Sequence, residues 1–132
     1  MSRFDYSPEV ERRFSTLGHA AAPDDAADAL GEAGDRTRGA CVQLLVWQAP
    51  PGGEGARLAR VRFRAYGCPA LLAAADLAAE RLEGCPREAL GSVDPRSLAD
   101  ALALPPEKLG RVLLVEDAAR CCLNALRGAG ND

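Results

Sequence analysis

Residues 57–84 read RLARVRFRAYGCPALLAAADLAAERLEG, and this stretch decides the fold of the chain. In its first half every second side chain is an arginine: Arg60, Arg62 and Arg64. Because side chains of a β-strand point alternately to its two faces, this pattern predicts a strand with one solvated, arginine-bearing face. The other face is predicted to be buried and to carry Ala59, Val61, Phe63 and Ala65.

The predicted strand runs directly into a turn, Tyr66-Gly67-Cys68-Pro69, and apolar residues then recur at helical spacing up to about Gly84. Pro69 suits the first position of a helix, where no amide hydrogen bond is needed. Cys68 is therefore predicted to be the N-cap residue of this helix. The unpaired amides and the positive end of the helix dipole favour a thiolate, so we expect a partly exposed cysteine that can bind metal, carry a persulfide or attack a substrate.

The composition is that of one ordinary globular domain spanning residues 1–132, with 48% hydrophobic and 27% charged residues. A formal net charge of −3 disfavours nucleic acid and anionic membranes as partners. No apolar run approaches the roughly 20 residues of a membrane span, and the charged N-terminus lacks the apolar core of a signal peptide. We therefore expect a cytoplasmic protein whose five cysteines are reduced.

The N-terminal half predicts one helix and a hairpin. Ser7-Pro8-Glu9 is typical of a helix start. Residues 18–38 carry weak signals, so we expect a weakly structured segment there, with room for a degraded first strand. Residues 40–48, ACVQLLVWQ, predict a second clear strand, and the turn-forming APPGGEG after them predicts an antiparallel hairpin.

The sequence of the C-terminal half predicts helices and no strands. A short helix starts at Asp94-Pro95, the two prolines of Leu104–Lys108 form an extended break, and a last helix runs from about Lys108 to Leu126. Residues 127–132 are expected to fray. A small sheet formed early and then several helices indicate an α+β fold with helices on one face of an antiparallel sheet.

Three segments together resemble the IscU-type, NifU N-terminal family of iron–sulfur cluster scaffolds. Residues 62–69, RFRAYGCP, resemble the family's strand ending in a Tyr-Gly-Cys turn. Residues 103–126, ALPPEKLGRVLLVEDAARCCLNAL, resemble its Leu-Pro-Pro-x-Lys segment and the following helix with Glu-Asp-Ala. Tyr6–Phe14 resembles its N-terminal helix. The resemblance covers nearly the whole chain, in order and with similar spacing.

The resemblance implies a three-stranded antiparallel sheet with helices packed on it, and a role in iron–sulfur cluster assembly. Such scaffolds receive sulfur from a cysteine desulfurase, build a 2Fe–2S cluster and hand it on with an Hsp70-type chaperone system. Their ligands are a Cys and an Asp in a Cys-Gly-Asp turn, the Cys of the Tyr-Gly-Cys turn, and a His-Cys pair opening the last helix.

This chain departs from that ligand set. Cys68 is retained, but Gly110 and Arg111 stand at the His-Cys pair. The first turn can be aligned in two ways. If Gly39 matches the motif glycine, Arg38 and Ala40 replace the cysteine and the aspartate. If Cys41 matches the cysteine instead, the Gly-Asp that should follow is replaced by Val42 and Gln43. At most two family ligands survive in either alignment, whereas iron–sulfur clusters require four.

Cys68 is accordingly the best candidate ligand, for iron or a cluster, and Cys41 is the second. Cys85 is expected in a turn or the core, and His19 has no cysteine neighbour in the sequence. Cys121 and Cys122 are adjacent in a helix, so their side chains diverge and cannot chelate one metal together. By resemblance, the candidate partner-binding segment consists of Leu104, Pro105, Pro106, Glu107 and Lys108.

Two functions remain open at this point. The chain is either a scaffold-like protein that holds iron, sulfur or a 2Fe–2S cluster, with Cys68 and Cys41 of two chains sharing it in a homodimer, or a non-catalytic pseudo-scaffold. The pseudo-scaffold would bind desulfurase, chaperone or other assembly factors without holding a cluster. We expect no enzyme, because no histidine can be argued to activate Cys68.

Overall fold

The computed structural model describes residues 7–22, 25–49 and 56–130. Within these ranges three strands form one antiparallel sheet in the order β1-β2-β3: β1 (Ala29–Asp35), β2 (Ala40–Ala49) and β3 (Arg57–Tyr66). The helices are α1 (Pro8–Thr16), α2 (Pro69–Leu82), α3 (Pro95–Ala101) and α4 (Leu109–Gly130). Short 3₁₀ turns occupy Arg36–Arg38, Arg87–Ser92 and Pro106–Lys108.

The core lies between one face of the sheet and the helices α2 and α4, which confirms the predicted α+β fold. Helix α2 packs on β3, and α4 packs on β1 and β2. Alternate residues of β2 and β3 face these helices and are fully or almost fully buried, as the period-two pattern predicts. These residues are Val42, Leu44, Val46, Leu58, Val61 and Phe63.

One position on β3 departs from the predicted alternation. Trp47 pairs with Arg60 and Gln48 with Leu58, so Ala59 is an extra residue in a β-bulge. Ala59 is consequently exposed instead of facing the core, and Leu58 takes the buried position. The prediction of a buried Ala59 was therefore wrong. An alternating sequence pattern does not show where one strand has an extra residue relative to the strand it pairs with.

The segment 18–38 is more ordered than the sequence predicts. Residues 29–35 form β1, which pairs along its whole length with β2 from Ala29↔Val46 to Asp35↔Ala40. Residues 19–21 run beside β3, where the Phe63 amide donates to the His19 carbonyl and the Ala21 amide donates to the Phe63 carbonyl. Strand formation here comes from pairing with neighbours, which local propensity does not report.

Some predicted ends of helices agree with the structure, and others differ by several residues. Ser7 is the N-cap of α1, with its Oγ accepting from the Val10 amide at 3.1 Å, and Asp94 caps α3. Helix α4 continues to Gly130, four residues beyond the predicted end at Leu126. The predicted extended break contains a 3₁₀ turn at Pro106–Lys108. Tyr6, residues 50–55 of the hairpin loop and the last two residues lie outside the described ranges.

A glycine allows α4 to lie directly against β1. A Cβ added at Gly31 would lie 2.1 Å from the Ala118 carbonyl oxygen and 2.4 Å from the Cys122 amide nitrogen. Both atoms belong to the helix backbone, which cannot move away as a flexible side chain could. The helix and the strand therefore approach more closely here than any other residue would permit. None of the helices in the described ranges is long and apolar enough to cross a membrane.

The substitution Gly31→Ala is expected to lower the free energy of unfolding by about 1–3 kcal/mol, the usual cost of overpacking a close-packed site. Urea denaturation followed by circular dichroism measures the change. Gly128→Ala is the matched control, because a Cβ at Gly128 meets nothing within 4 Å and alanine favours a helix. A Gly31→Ala variant as stable as the wild type would contradict the proposed close contact.

Candidate functional site

Cys68 occupies the predicted place at the junction of β3 and α2. It has an extended backbone (φ −78°, ψ 162°) and is the N-cap residue of α2, with Pro69 as the first helical residue. Its carbonyl accepts from the amides of Leu71 and Leu72, while its side chain makes no capping hydrogen bond. The thiol is half-buried against the core. Cys68 therefore keeps its sulfur available beside the amides of the first helical turn.

The turn between β1 and β2 lies against the Cys68 turn. Asp35 starts this turn by accepting the Thr37 amide at 2.9 Å, and Gly39 ends it with a left-handed φ of 89°. A Cβ on Gly67 would lie 3.4 Å from the Gly39 carbonyl oxygen and 3.6 Å from the Ala40 Cα. Gly39 and Ala40 therefore lie beside Gly67, while Cys41 pairs with Tyr66 of the same turn, so both alignments place residues next to it.

Two arginines line a groove at this end of the sheet, which we call the arginine groove. It has a volume of about 410 Å³. Arg38 comes from the β1–β2 turn and Arg111 from the first turn of α4, the two places where the resemblance expects metal ligands. The groove thus presents guanidinium groups where a cation-binding site would need anionic or neutral donors. The lining residues are Gly34, Asp35, Arg38, Ala40, Arg111 and Leu114.

Cys41 lies in a different environment. It neighbours Ala40 on β2 and therefore faces the side of the sheet away from the helices. There it lines an open groove of about 560 Å³, the outer groove, in which Arg36 stacks over the Tyr66 ring at 4.9 Å. Cys68 is not among the residues that line this groove. The structure therefore does not show the two candidate cysteines converging on one site.

The described residues of one chain do not supply a cluster site of four ligands. Among the described residues, no group of three or more histidines, cysteines, aspartates and glutamates is placed to hold a metal ion. Such a site needs four ligands around its irons. Within the described ranges, Cys68 therefore has no set of three further ligands beside it.

The remaining three cysteines and His19 differ in their burial and in their hydrogen-bond partners. Cys122 is fully buried, and burial, reinforced by the neighbouring Cys121, raises its pKa to about 12. Cys121 is exposed, and the Cys85 thiol donates to the Arg81 carbonyl at 3.3 Å. His19 contacts two carboxylates: its amide donates to Asp76 at 2.8 Å, and its Nε2 lies 3.2 Å from Glu83.

Sequence reasoning missed the outer groove and the network around Asp76. The signal for the network was a lone carboxylate in the otherwise apolar stretch Leu71–Ala79, which needs a partner when buried. The outer groove had no comparable signal, since its lining residues come from all three strands and from the β1–β2 turn.

The segment Leu104–Lys108 is largely accessible. Pro105, Pro106 and Glu107 are exposed, whereas Leu104 is half-buried and packs against the core. The Lys108 amide closes the 3₁₀ turn by donating to the Pro105 carbonyl at 2.9 Å. The segment therefore presents a rigid, proline-rich ridge just before α4.

The fold and the Cys68 turn place the chain in a known class of small α+β domains. The family described as "NifU-like N terminal domain" matches residues 5–130, and the chain belongs to this family. Among solved structures, the chain is similar to a protein from Fervidobacterium islandicum AW-1 that is described as an iron–sulfur cluster assembly scaffold protein for the SUF system. That structure has a TM-score of 0.67 and 16% identity, over 93% of this chain and 99% of the other.

Curated relatives are also similar over part of their length. The iron–sulfur cluster assembly scaffold protein IscU of Azotobacter vinelandii is 30% identical over 84 residues, which are 64% of this chain and 65% of the relative. The iron–sulfur cluster assembly enzyme IscU of Drosophila melanogaster is 31% identical over 70 residues, or 53% of this chain and 46% of the relative. The matches thus span less than two thirds of these relatives.

The cysteines of α4 are expected to differ sharply in reactivity. The thiolate fraction of Cys122 is reduced about a thousandfold by a pKa of about 12 in place of 9.0, and burial blocks access to its sulfur. Iodoacetamide should therefore label Cys121 and leave Cys122 unmodified in the folded protein, as read by fragment mass spectrometry.

The variant Cys121→Ser isolates the signal of Cys122, and labelling in urea is the control that all remaining cysteines can react. Labelling of Cys122 in the folded Cys121→Ser variant at the rate seen in urea would contradict its buried position.

Proposed function

We propose that this protein acts in iron–sulfur cluster assembly as a scaffold-like protein that takes iron or sulfur at Cys68, for the biogenesis of 2Fe–2S clusters. The observation that carries the proposal is the family's fold with a half-buried cysteine at the N-cap of α2. The relatives' names support the same process, since they are called assembly scaffold proteins and, in one case, an assembly enzyme.

The surroundings of Cys68 suit an anionic sulfur species. Amides at the start of α2 and the positive end of its dipole stabilise a thiolate or a persulfide. A desulfurase partner that carries a cysteine persulfide would transfer its outer sulfur to the Cys68 thiolate. One S–S bond breaks on the donor and one forms on Cys68, and the donor leaves as a thiolate, so the step needs no oxidant or reductant.

We propose that a complete cluster is shared between two chains. Cys41 is the second candidate ligand, and it lies on the outer face of the sheet, away from the helices. We infer that Cys41 would join the cluster from a second copy, in a homodimer that shares the cluster between Cys68 of one chain and Cys41 of the other.

A second candidate function is a non-catalytic pseudo-scaffold that holds no cluster. The observation that favours it is the arginine groove, where Arg38 and Arg111 occupy the positions of two expected ligands. In this case the protein would bind a desulfurase, an Hsp70-type chaperone or another assembly factor. The exposed ridge of Pro105, Pro106 and Glu107 is the candidate surface for the chaperone.

Anaerobic reconstitution with ferrous iron and sulfide tests the scaffold function. Wild-type protein is expected to show visible absorbance and bound iron, and Cys68→Ala is expected to lose both, because Cys68 is the proposed attachment point. Cys85→Ser is the matched control, since its thiol is hydrogen-bonded to the Arg81 carbonyl away from the site. A folded wild type that binds no iron at any protein concentration would contradict the scaffold function.

Restoring the family's ligands tests the pseudo-scaffold function. The variant Arg38→Cys, Ala40→Asp, Gly110→His, Arg111→Cys restores the four donors that the resemblance expects in addition to Cys68. If the wild type is a pseudo-scaffold, this variant should gain a cluster that the wild type lacks, measured by iron content and absorbance. The control is Arg38→Ser, Ala40→Asn, Gly110→Gln, Arg111→Ser, which removes the same charges without supplying thiolates. Equal iron content in the two folded variants would show that lost ligands are not the reason for an empty site.

A further inference from the structure

The arginine groove joins two side chains that are far apart in the sequence. Arg38 ends the 3₁₀ turn between β1 and β2, and Arg111 lies in the first turn of α4. The same lining includes the small residues Gly34 and Ala40. The result is an open space of about 410 Å³ with two guanidinium groups on its lining.

Neither arginine is neutralised by another residue in the described part of the chain. Among the residues that the structure describes, Arg38 and Arg111 make no ion pair and no side-chain hydrogen bond. Asp35 is the one carboxylate among the described lining residues, and it accepts the Thr37 amide instead of a guanidinium. That backbone hydrogen bond lowers the pKa of Asp35, so its carboxylate is charged at neutral pH. The groove keeps one net positive charge.

The position of Arg111 adds a second argument. A cation in the first turn of a helix lies near the positive end of the dipole, which is unfavourable. Helix α4 has no acidic residue in its own first turn, and the nearest one before it is the exposed Glu107 of the preceding 3₁₀ turn. A bound anion would relieve the repulsion from both the dipole and Arg38. Guanidinium groups hold carboxylates especially well, because two parallel N–H donors match the two carboxylate oxygens.

We propose that the arginine groove is a binding site for a carboxylate group, held between Arg38 and Arg111. The carboxylate belongs either to a small free acid or to an acidic side chain of a docked protein. This inference goes beyond the proposed function, since binding requires neither iron nor sulfur and does not involve Cys68.

Isothermal titration calorimetry of the metal-free chain tests the site with two probes, citrate for a free acid and a capped hexaglutamate peptide for acidic side chains. We expect saturable binding of at least one probe. Arg38→Gln and Arg111→Gln should each weaken that binding about tenfold, and the double variant should abolish it. Arg127→Gln, an exposed arginine in the last turn of α4, is the control and should stay within about twofold of the wild type.

Each outcome decides the proposal. Binding of citrate alone identifies a free acid as the ligand, and binding of the peptide alone identifies an acidic partner segment. Absence of saturable binding for both probes, or equal weakening by Arg127→Gln, overturns the proposal and leaves the function at Cys68 unaffected. Circular dichroism melting curves establish that the glutamine variants are folded before they are titrated.

Discussion

The buried carboxylate of Asp76 is the constraint on which the arrangement of the N-terminal half depends. Asp76 is 2% exposed, the one buried charged residue in the described part of the chain. It accepts from Arg13 of α1 at 2.8 Å and from the His19 amide at 2.8 Å. A buried charge without such donors costs several kcal/mol. Helix α1 and the turn after it are therefore fixed against α2 by the need to satisfy one carboxylate.

The same network reaches β3 and so determines where Cys68 lies. His19 contacts Glu83 at the end of α2, and Glu83 accepts from the Val61 amide at 2.9 Å and pairs with Arg62. Burial opposes ionisation of Glu83, but these hydrogen bonds outweigh it and lower its pKa. The C-terminal end of α2 is thus attached to β3, while its N-terminal end continues from β3 through Gly67. A helix fixed at both ends holds its N-cap residue in one place.

Local patterns were enough to predict the elements that frame Cys68, whereas the rest depends on contacts between distant residues. Strand β3, the N-cap of α2 and the start of α1 follow from alternation and capping residues. Strand β1 does not, because its Ala- and Gly-rich sequence is ordered by β2 and α4. In the candidate site, the position of Cys68 followed from its own turn. The outer-face position of Cys41 could be found only from the pairing of the strands. The correspondence of Arg38 and Arg111 to expected ligand positions could be found only from the resemblance to the family.

The contact at Gly31 is one of the points at which α4 is held against the sheet. The helix is held against β1 near Cys122, and Arg111 lies about eleven residues nearer its N-terminus, or about 16 Å along the axis at 1.5 Å per residue. A tilt of about 5° around that contact would displace Arg111 by about 1.4 Å over such a length. Since Val112 and Val115 beside Arg111 are fully buried, the position of Arg111 in the arginine groove depends on this core packing together with the contact at Gly31.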